Sequence, residues 1–220
     1  MLFVKTNTFF KKCINIYTKR RKDTKMNEDK RILKTKKNLK NTLLELLDEK
    51  SFEQVTVKEI CERSATSRIT FYTHFADKYE LLDSIFQEYI ASARNEYAEL
   101  NKKNNPENNP IQNYCNLLES ILNLCLVTIP FLNNTFPSDG SYINTSFYHY
   151  LYKYVEHRVE RESQYLAYRY SVGRIASFLT YGFWGFITKC KEESVPIDEA
   201  KKQAMELLVS LLENNVLAKN

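Results

Sequence analysis

The sequence predicts an all-α fold, a small N-terminal head followed by a larger helical body with about nine helices in total, on three observations. Only four glycines and five prolines punctuate 220 residues. Strict alternation of apolar and polar residues, the mark of a half-buried strand, is nearly absent. Leu, Lys, Glu and Asn dominate, and 43% hydrophobic content is enough for a core in a chain longer than one average domain and shorter than two large ones.

Each element has its own signal. Residues 1–27 show no helical period and carry most of the positive charge: eight Lys/Arg stand against Asp23 alone before Met26, so the rest of the chain holds two more acids than bases. This segment is expected to be disordered or to precede the true start at Met26, the alternative being a basic arm that reaches phosphates or a minor groove. From Thr35, a good N-cap, Leu39, Leu43, Leu46 and Leu47 form one buried stripe on a helix ending near Lys50. Thr56, with Glu59 three residues on as in a capping box, starts a short second helix that buries Val57, Ile60 and Cys61. Ser67 caps a third through Phe75, with Phe71 and Phe75 turned to the core and polar residues elsewhere. Asp77 caps a long fourth helix, apolar on one face from Leu82 to Tyr97 and ending near Lys103, where the breaker Asn104-Asn105-Pro106-Glu107-Asn108-Asn109-Pro110 follows. Further helices are expected over 111–129, ended by Pro130, and over 143–158, 163–191 and 197–216.

Several function classes lose support at this level. Five scattered cysteines with no CxxC spacing suggest neither a disulfide framework nor a zinc knuckle, and point to a reducing cytoplasm. No apolar run approaches the ~20 residues a bilayer requires, and no signal peptide is apparent, so no membrane role is expected. No GxGxxG, P-loop or HExxH occurs, and His74, His149 and His157 are dispersed. The chain is therefore read as a non-enzyme with no catalytic residues, no cofactor and no metal.

The run Thr56-Val57-Lys58-Glu59-Ile60-Cys61-Glu62-Arg63-Ser64-Ala65-Thr66-Ser67-Arg68-Ile69-Thr70-Phe71-Tyr72-Thr73-His74-Phe75-Ala76-Asp77-Lys78 resembles the TetR/AcrR family of transcription regulators. Its most specific part is Thr-Phe-Tyr-x-His-Phe-x-Asp-Lys. The resemblance covers residues 31–90 well; the body resembles the family only in helix number and in Gly-Phe-Trp-Gly-Phe-Ile at 182–187. It implies a helix-turn-helix DNA-binding domain over 28–78 and a regulatory and dimerisation domain over 79–220. DNA contacts are implied at Thr56, Ser67, Arg68, Thr70, Tyr72, His74 and Lys78. Two residues depart from the family's pattern: Ala65 stands where the turn usually has Gly, and Ile69 where Gly or Ser is usual. A left-handed Ala65 would cost roughly 1 kcal/mol.

The residues agree with that implication. A helix entering the major groove needs an exposed polar face with donors near its N-terminus, backed by apolar anchors. Arg68 suits a bidentate contact to guanine, Thr70 and Thr73 a base edge or phosphate, and Ile69 a thymine methyl. Thr56 and Lys78, at helix N-termini, suit phosphate, and Tyr72 and His74 can donate to the same backbone. Lys30, Arg31, Lys34, Lys36, Lys37 and Lys40 border the motif with no intervening acid.

The expected function is sequence-specific transcription regulation, repression relieved by an unknown small-molecule effector, by a homodimer on double-stranded operator DNA in the cytoplasm. The alternative is a co-regulator of the same fold that acts through a protein partner. Fourteen aromatic side chains between 142 and 186, Trp184 among them, fill the core, line a ligand cavity, or do both. Leu179, Phe183, Phe186, Ile187, Leu207, Leu208 and Leu211 exceed what one body should hide and suggest a four-helix dimer interface.

Overall fold

The computed structural model describes residues 29–128, 142–214 and 218–219. Among them, eight α-helices account for nearly all regular structure, one fewer than the sequence suggests: α1 (29–49), α2 (Val57–Arg63), α3 (Arg68–His74), α4 (Lys78–Asn104), α5 (Pro110–Asn123), α6 (Tyr142–Glu162), α7 (Val172–Glu192) and α8 (Ile197–Glu213). A 3-10 turn, Phe52–Gln54, precedes α2, and a π-helical turn, Leu124–Thr128, prolongs α5. Ala167–Tyr168 (β1) pairs antiparallel with Ala218–Lys219 (β2). No helix among the described residues is long and apolar enough to cross a membrane. Pro130, Pro137, Gly140, Cys13 and the basic residues before Asp29 lie outside the described residues.

The chain divides into two compact units. The head takes α1, Val55 and the residues through Leu81; the body takes Lys50–Gln54 and Leu82 onward. The first turn of α4 thus belongs to the head and its remainder to the body.

In the head, Leu39, Leu43 and Leu46 of α1 close on Ile60, Phe71, Phe75 and Leu81, all buried. Leu47 is only half-buried. Thr35 does not cap α1: the helix runs through it, and its hydroxyl donates back to the Arg31 carbonyl four residues earlier (2.9 Å), a bond that competes with capping geometry. Arg63 at the end of α2 makes a two-pronged ion pair with Glu49 (2.6 and 2.8 Å), tying α2 to the end of α1.

In the body, the asparagine-rich breaker between α4 and α5 is an ordered turn. Asn105 is buried; its side-chain oxygen accepts from the Asn109 amide (2.7 Å) and its side-chain nitrogen donates to Asn113 Oδ1 (2.8 Å). Asn108 is left-handed (φ 56°), a conformation asparagine tolerates, and Asn109 then N-caps α5 by accepting from Ile111 and Gln112. The fully buried Asn116 donates to Asn101 and Asn104 of α4 (2.8 and 2.7 Å), which locks the two helices side by side.

The expected helix over 163–191 begins only at Val172. After α6, the amides of Tyr165 and Leu166 both donate to the Glu162 carbonyl, and the Ser163 hydroxyl to the Glu160 carbonyl, which closes a turn. Tyr168 then anchors β1 by a hydroxyl contact with Tyr114 and a bond to the Val159 carbonyl (3.3 Å). Helix α6 correspondingly runs four residues beyond the expected end at 158.

Glu162, at the end of α6, is buried with Asn113 donating to both its oxygens (3.1 and 3.2 Å). Burial pushes its carboxyl above the usual range, while Asn113, Arg158 and Arg161 pull in the other direction. A pKa higher in the folded state than in the unfolded one means that stability is greatest with the proton bound and falls as pH rises through the folded value. Glu162→Gln removes this dependence, so the variant should match the parent in acid and exceed it increasingly as pH rises. Thermal unfolding across a pH series checks this.

Candidate nucleic-acid interface

The turn between α2 and α3 is built from its caps. Thr56 starts α2 with a full capping box: its hydroxyl oxygen accepts from the Glu59 amide (3.2 Å), and its own amide donates to the Glu59 carboxylate (2.9 Å). The C-terminus of α2 closes with two bonds, Thr66 N–H to the Cys61 carbonyl (2.9 Å) and Ala65 N–H to the Glu62 carbonyl (3.3 Å). That Schellman arrangement requires a left-handed residue at Ala65, and its φ is 50°. Ala65 therefore carries the strain expected of a residue with a Cβ in glycine's place. Ala65→Gly should stabilise the head by about 0.5–1 kcal/mol, the steric relief being partly offset by the freer unfolded chain. Hydrogen-exchange protection of α2 and α3 amides would report the gain.

Ser67 then caps α3, accepting from the Thr70 amide (3.0 Å) and sharing a hydrogen with the Thr70 hydroxyl (2.9 Å). Phe71 and Phe75 point inward, their rings 6.0 Å apart. With that side fixed, Arg68, Ile69, Tyr72 and Thr73 fall on the opposite arc and are exposed, Ile69 to 83% and Tyr72 to 56%. Tyr72 is braced edge-on against Phe71 at 5.4 Å.

The seven implied contact residues divide by environment. Arg68 and Tyr72 stand on the outward face of α3, Ser67 and Thr56 are exposed caps, and Thr70 and His74 are half-buried on its flanks. Lys78 is half-buried too, and its ammonium donates to the Val55 carbonyl (2.8 Å), which brings the start of α4 beside Thr56. Two residues outside the implied set, Ile69 and Thr73, face outward more fully than Thr70 does; the Thr73 hydroxyl donates to the Ile69 carbonyl (2.8 Å) and keeps its lone pairs outward. The α3 period itself carries that signal, since both lie opposite Phe71 and Phe75. On α1, Lys30, Arg31, Lys34 and Lys37 are exposed, while Lys36 sits over the Phe75 ring at 5.7 Å.

Residues 41–85 match the family model described as bacterial regulatory proteins, tetR family. The chain belongs to the TetR family. Within the curated proteins, 80 residues align at 34% identity with the uncharacterised HTH-type transcriptional regulator YxbF of Bacillus subtilis (strain 168), covering 32% of this chain and 21% of that protein. The chain thus spans about a fifth of the length of that relative. Solved structures extend the likeness in fold to the body. A TetR-family regulator from Syntrophomonas wolfei has a TM-score of 0.60 at 15% identity, covering 81% of this chain and 92% of its own. Thermus thermophilus FadR, a TetR-family repressor solved with lauroyl-CoA, has a TM-score of 0.55 at 16% identity, covering 84% and 96%.

The TetR-type body holds an apolar cleft between α5, α6, α7 and α8, with about 870 Å³ of unfilled space counting its open mouth. Leu118, Leu122, Phe183, Trp184 and Ile187 form much of its wall. The aromatic residues therefore serve two ends: Phe147 and Tyr154 are core, while Trp184 bridges core and cleft, its ring 6.0 Å from Phe147. Of the residues expected at a dimer interface, Leu179, Phe183, Ile187 and Leu208 are already buried within the body, and Phe186 and Leu211 half-buried. What remains exposed is Leu207 at 42%, with Phe178 and Tyr181 of α7, where Gly182 and Gly185 leave open space beside the helix. The four cysteines among the described residues are free and buried. No group of three His, Cys, Asp or Glu among those residues could hold a metal ion.

Proposed function

We propose that the protein is a sequence-specific DNA-binding transcription regulator, a cytoplasmic homodimer without enzymatic activity that represses until a small-molecule effector enters the body's cleft. The observation that carries this reading is the outward arc of α3, Arg68, Ile69, Tyr72 and Thr73, held against a core by Phe71 and Phe75. Arg68 reads guanine through two donors, Ile69 packs on a thymine methyl, and Thr73 offers an acceptor to a base edge. Thr56, Ser67, Thr70, Tyr72, His74 and Lys78 position the helix on phosphates, Lys78 with the N–H groups it does not give to Val55.

Dimerisation through Phe178, Tyr181 and Leu207, with close approach at Gly182 and Gly185, would set two α3 helices on successive major grooves about 34–36 Å apart. Effector binding would shift the population toward a state whose heads no longer match that spacing. Selection of bound fragments from random duplexes tests this: a near-palindrome with half-sites about 10 base pairs apart supports the model, and a lone half-site contradicts dimeric reading.

A further inference from the structure

The cleft in the body is long, apolar and charged at one end only. Its α5 wall runs from Tyr114 to the level of Cys125, roughly 16 Å at 1.5 Å per residue. The α7 wall runs alongside from Leu179 to Lys191, and Lys191 is close enough to Cys125 to act on its thiol. Both chain directions therefore place Lys191 and Cys125 at one end, with Tyr114 at the other. Among the described residues lining the cleft, Lys191 carries the one charge, and Thr188, a turn earlier, adds a hydroxyl to the same end.

Lys191 is exposed as a residue, its stem lying along the apolar wall, and that wall takes enough water from the ammonium to hold its pKa below the ordinary lysine value. Burial pushes the Cys125 thiol up to about 12, so the neighbour stays neutral and does not neutralise the lysine. A partly dehydrated cation at the end of a hydrocarbon slot regains solvation from an anion whose remaining bulk fits the slot.

We propose that the cleft binds an amphipathic carboxylate, an elongated apolar chain lying between α5 and α7 with its carboxylate on the Lys191 ammonium. As the identity of the effector, this rests on the regulator reading above; as a binding site, it stands on the cleft alone.

Trp184 is the single tryptophan of the chain and lines the cleft, so its fluorescence reports occupancy without DNA. The full chain is titrated with monomeric dodecanoate, dodecanol and dodecyltrimethylammonium. Dodecanoate should bind about tenfold tighter than dodecanol, and the cation more weakly than either. Lys191→Met should bring dodecanoate to the dodecanol value and leave dodecanol unchanged, whereas Lys191→Arg should keep the preference. Equal binding of dodecanoate and dodecanol by the parent overturns the proposal, as does a preference that survives Lys191→Met or a tryptophan that responds to none of the three. A lysine that merely extends its head to water past the apolar wall predicts that equal binding. DNA anisotropy read on the same samples separates the two readings. Dodecanoate that binds at Lys191 and leaves DNA affinity unchanged supports the ligand class and overturns only the effector role.

Discussion

Arg68→Ala is expected to weaken binding to the selected DNA site by roughly 5- to 150-fold, the equivalent of about 1–3 kcal/mol, while binding to random duplex changes little. Arg68 is the first residue of α3 and is exposed, so truncation removes no core contact. The loss should concentrate at one base pair, where the variant accepts all four bases nearly equally. Competition anisotropy with single-base variants of the site checks this. A uniform loss across all sequences would instead place Arg68 on phosphate.

Phe71→Ala should have the opposite character. Phe71 is fully buried, in contact with Tyr72 and Phe75, and its truncation should cost about 3–5 kcal/mol. A domain stable by only about 5–15 kcal/mol in total has little margin for that loss. The variant should therefore lose all DNA affinity, specific and non-specific, and the amide protection of α1 to α3. Trp184 lies in the body, so its emission should stay that of the parent. A parallel loss of the Trp184 signal would show that the two units fold as one.

Much of the fold was legible because local signals and packing agree. The Thr56-Glu59 box, the Ser67 cap and the Phe71/Phe75 pair each sit where their spacing places them, since each involves partners within four residues. Thr35 misled because a threonine can cap a helix or bond back to the carbonyl four residues earlier, and sequence does not choose between them. The break at 163–171 was hidden for a different reason. Its cause is long-range, Tyr168 reaching Tyr114 and β1 pairing with residues fifty positions later, while the aromatic density there reads as helix either way. At the candidate interface, chain order gave the residue types but not their engagement. That Lys78 is tethered to Val55, and that Asn38 donates to the Ser64 carbonyl (2.8 Å), are contacts across more than twenty residues with no local trace. The dimer surface was misassigned in part for the same reason: α5 and α8 already cover Leu179 and Leu208, which leaves Phe178, Tyr181 and Leu207 outward.

The central claim is that the head grips duplex DNA through phosphates and reads it through α3. Fluorescence anisotropy of the purified chain on its selected site, over a salt series with competitor duplex present, tests that most directly. The account predicts competitor-resistant binding whose log affinity falls linearly with log salt concentration, each neutralised phosphate adding about 0.9 to the slope. Binding no tighter than to competitor at low salt, with no slope, would contradict it and leave the head as a surface for a protein partner.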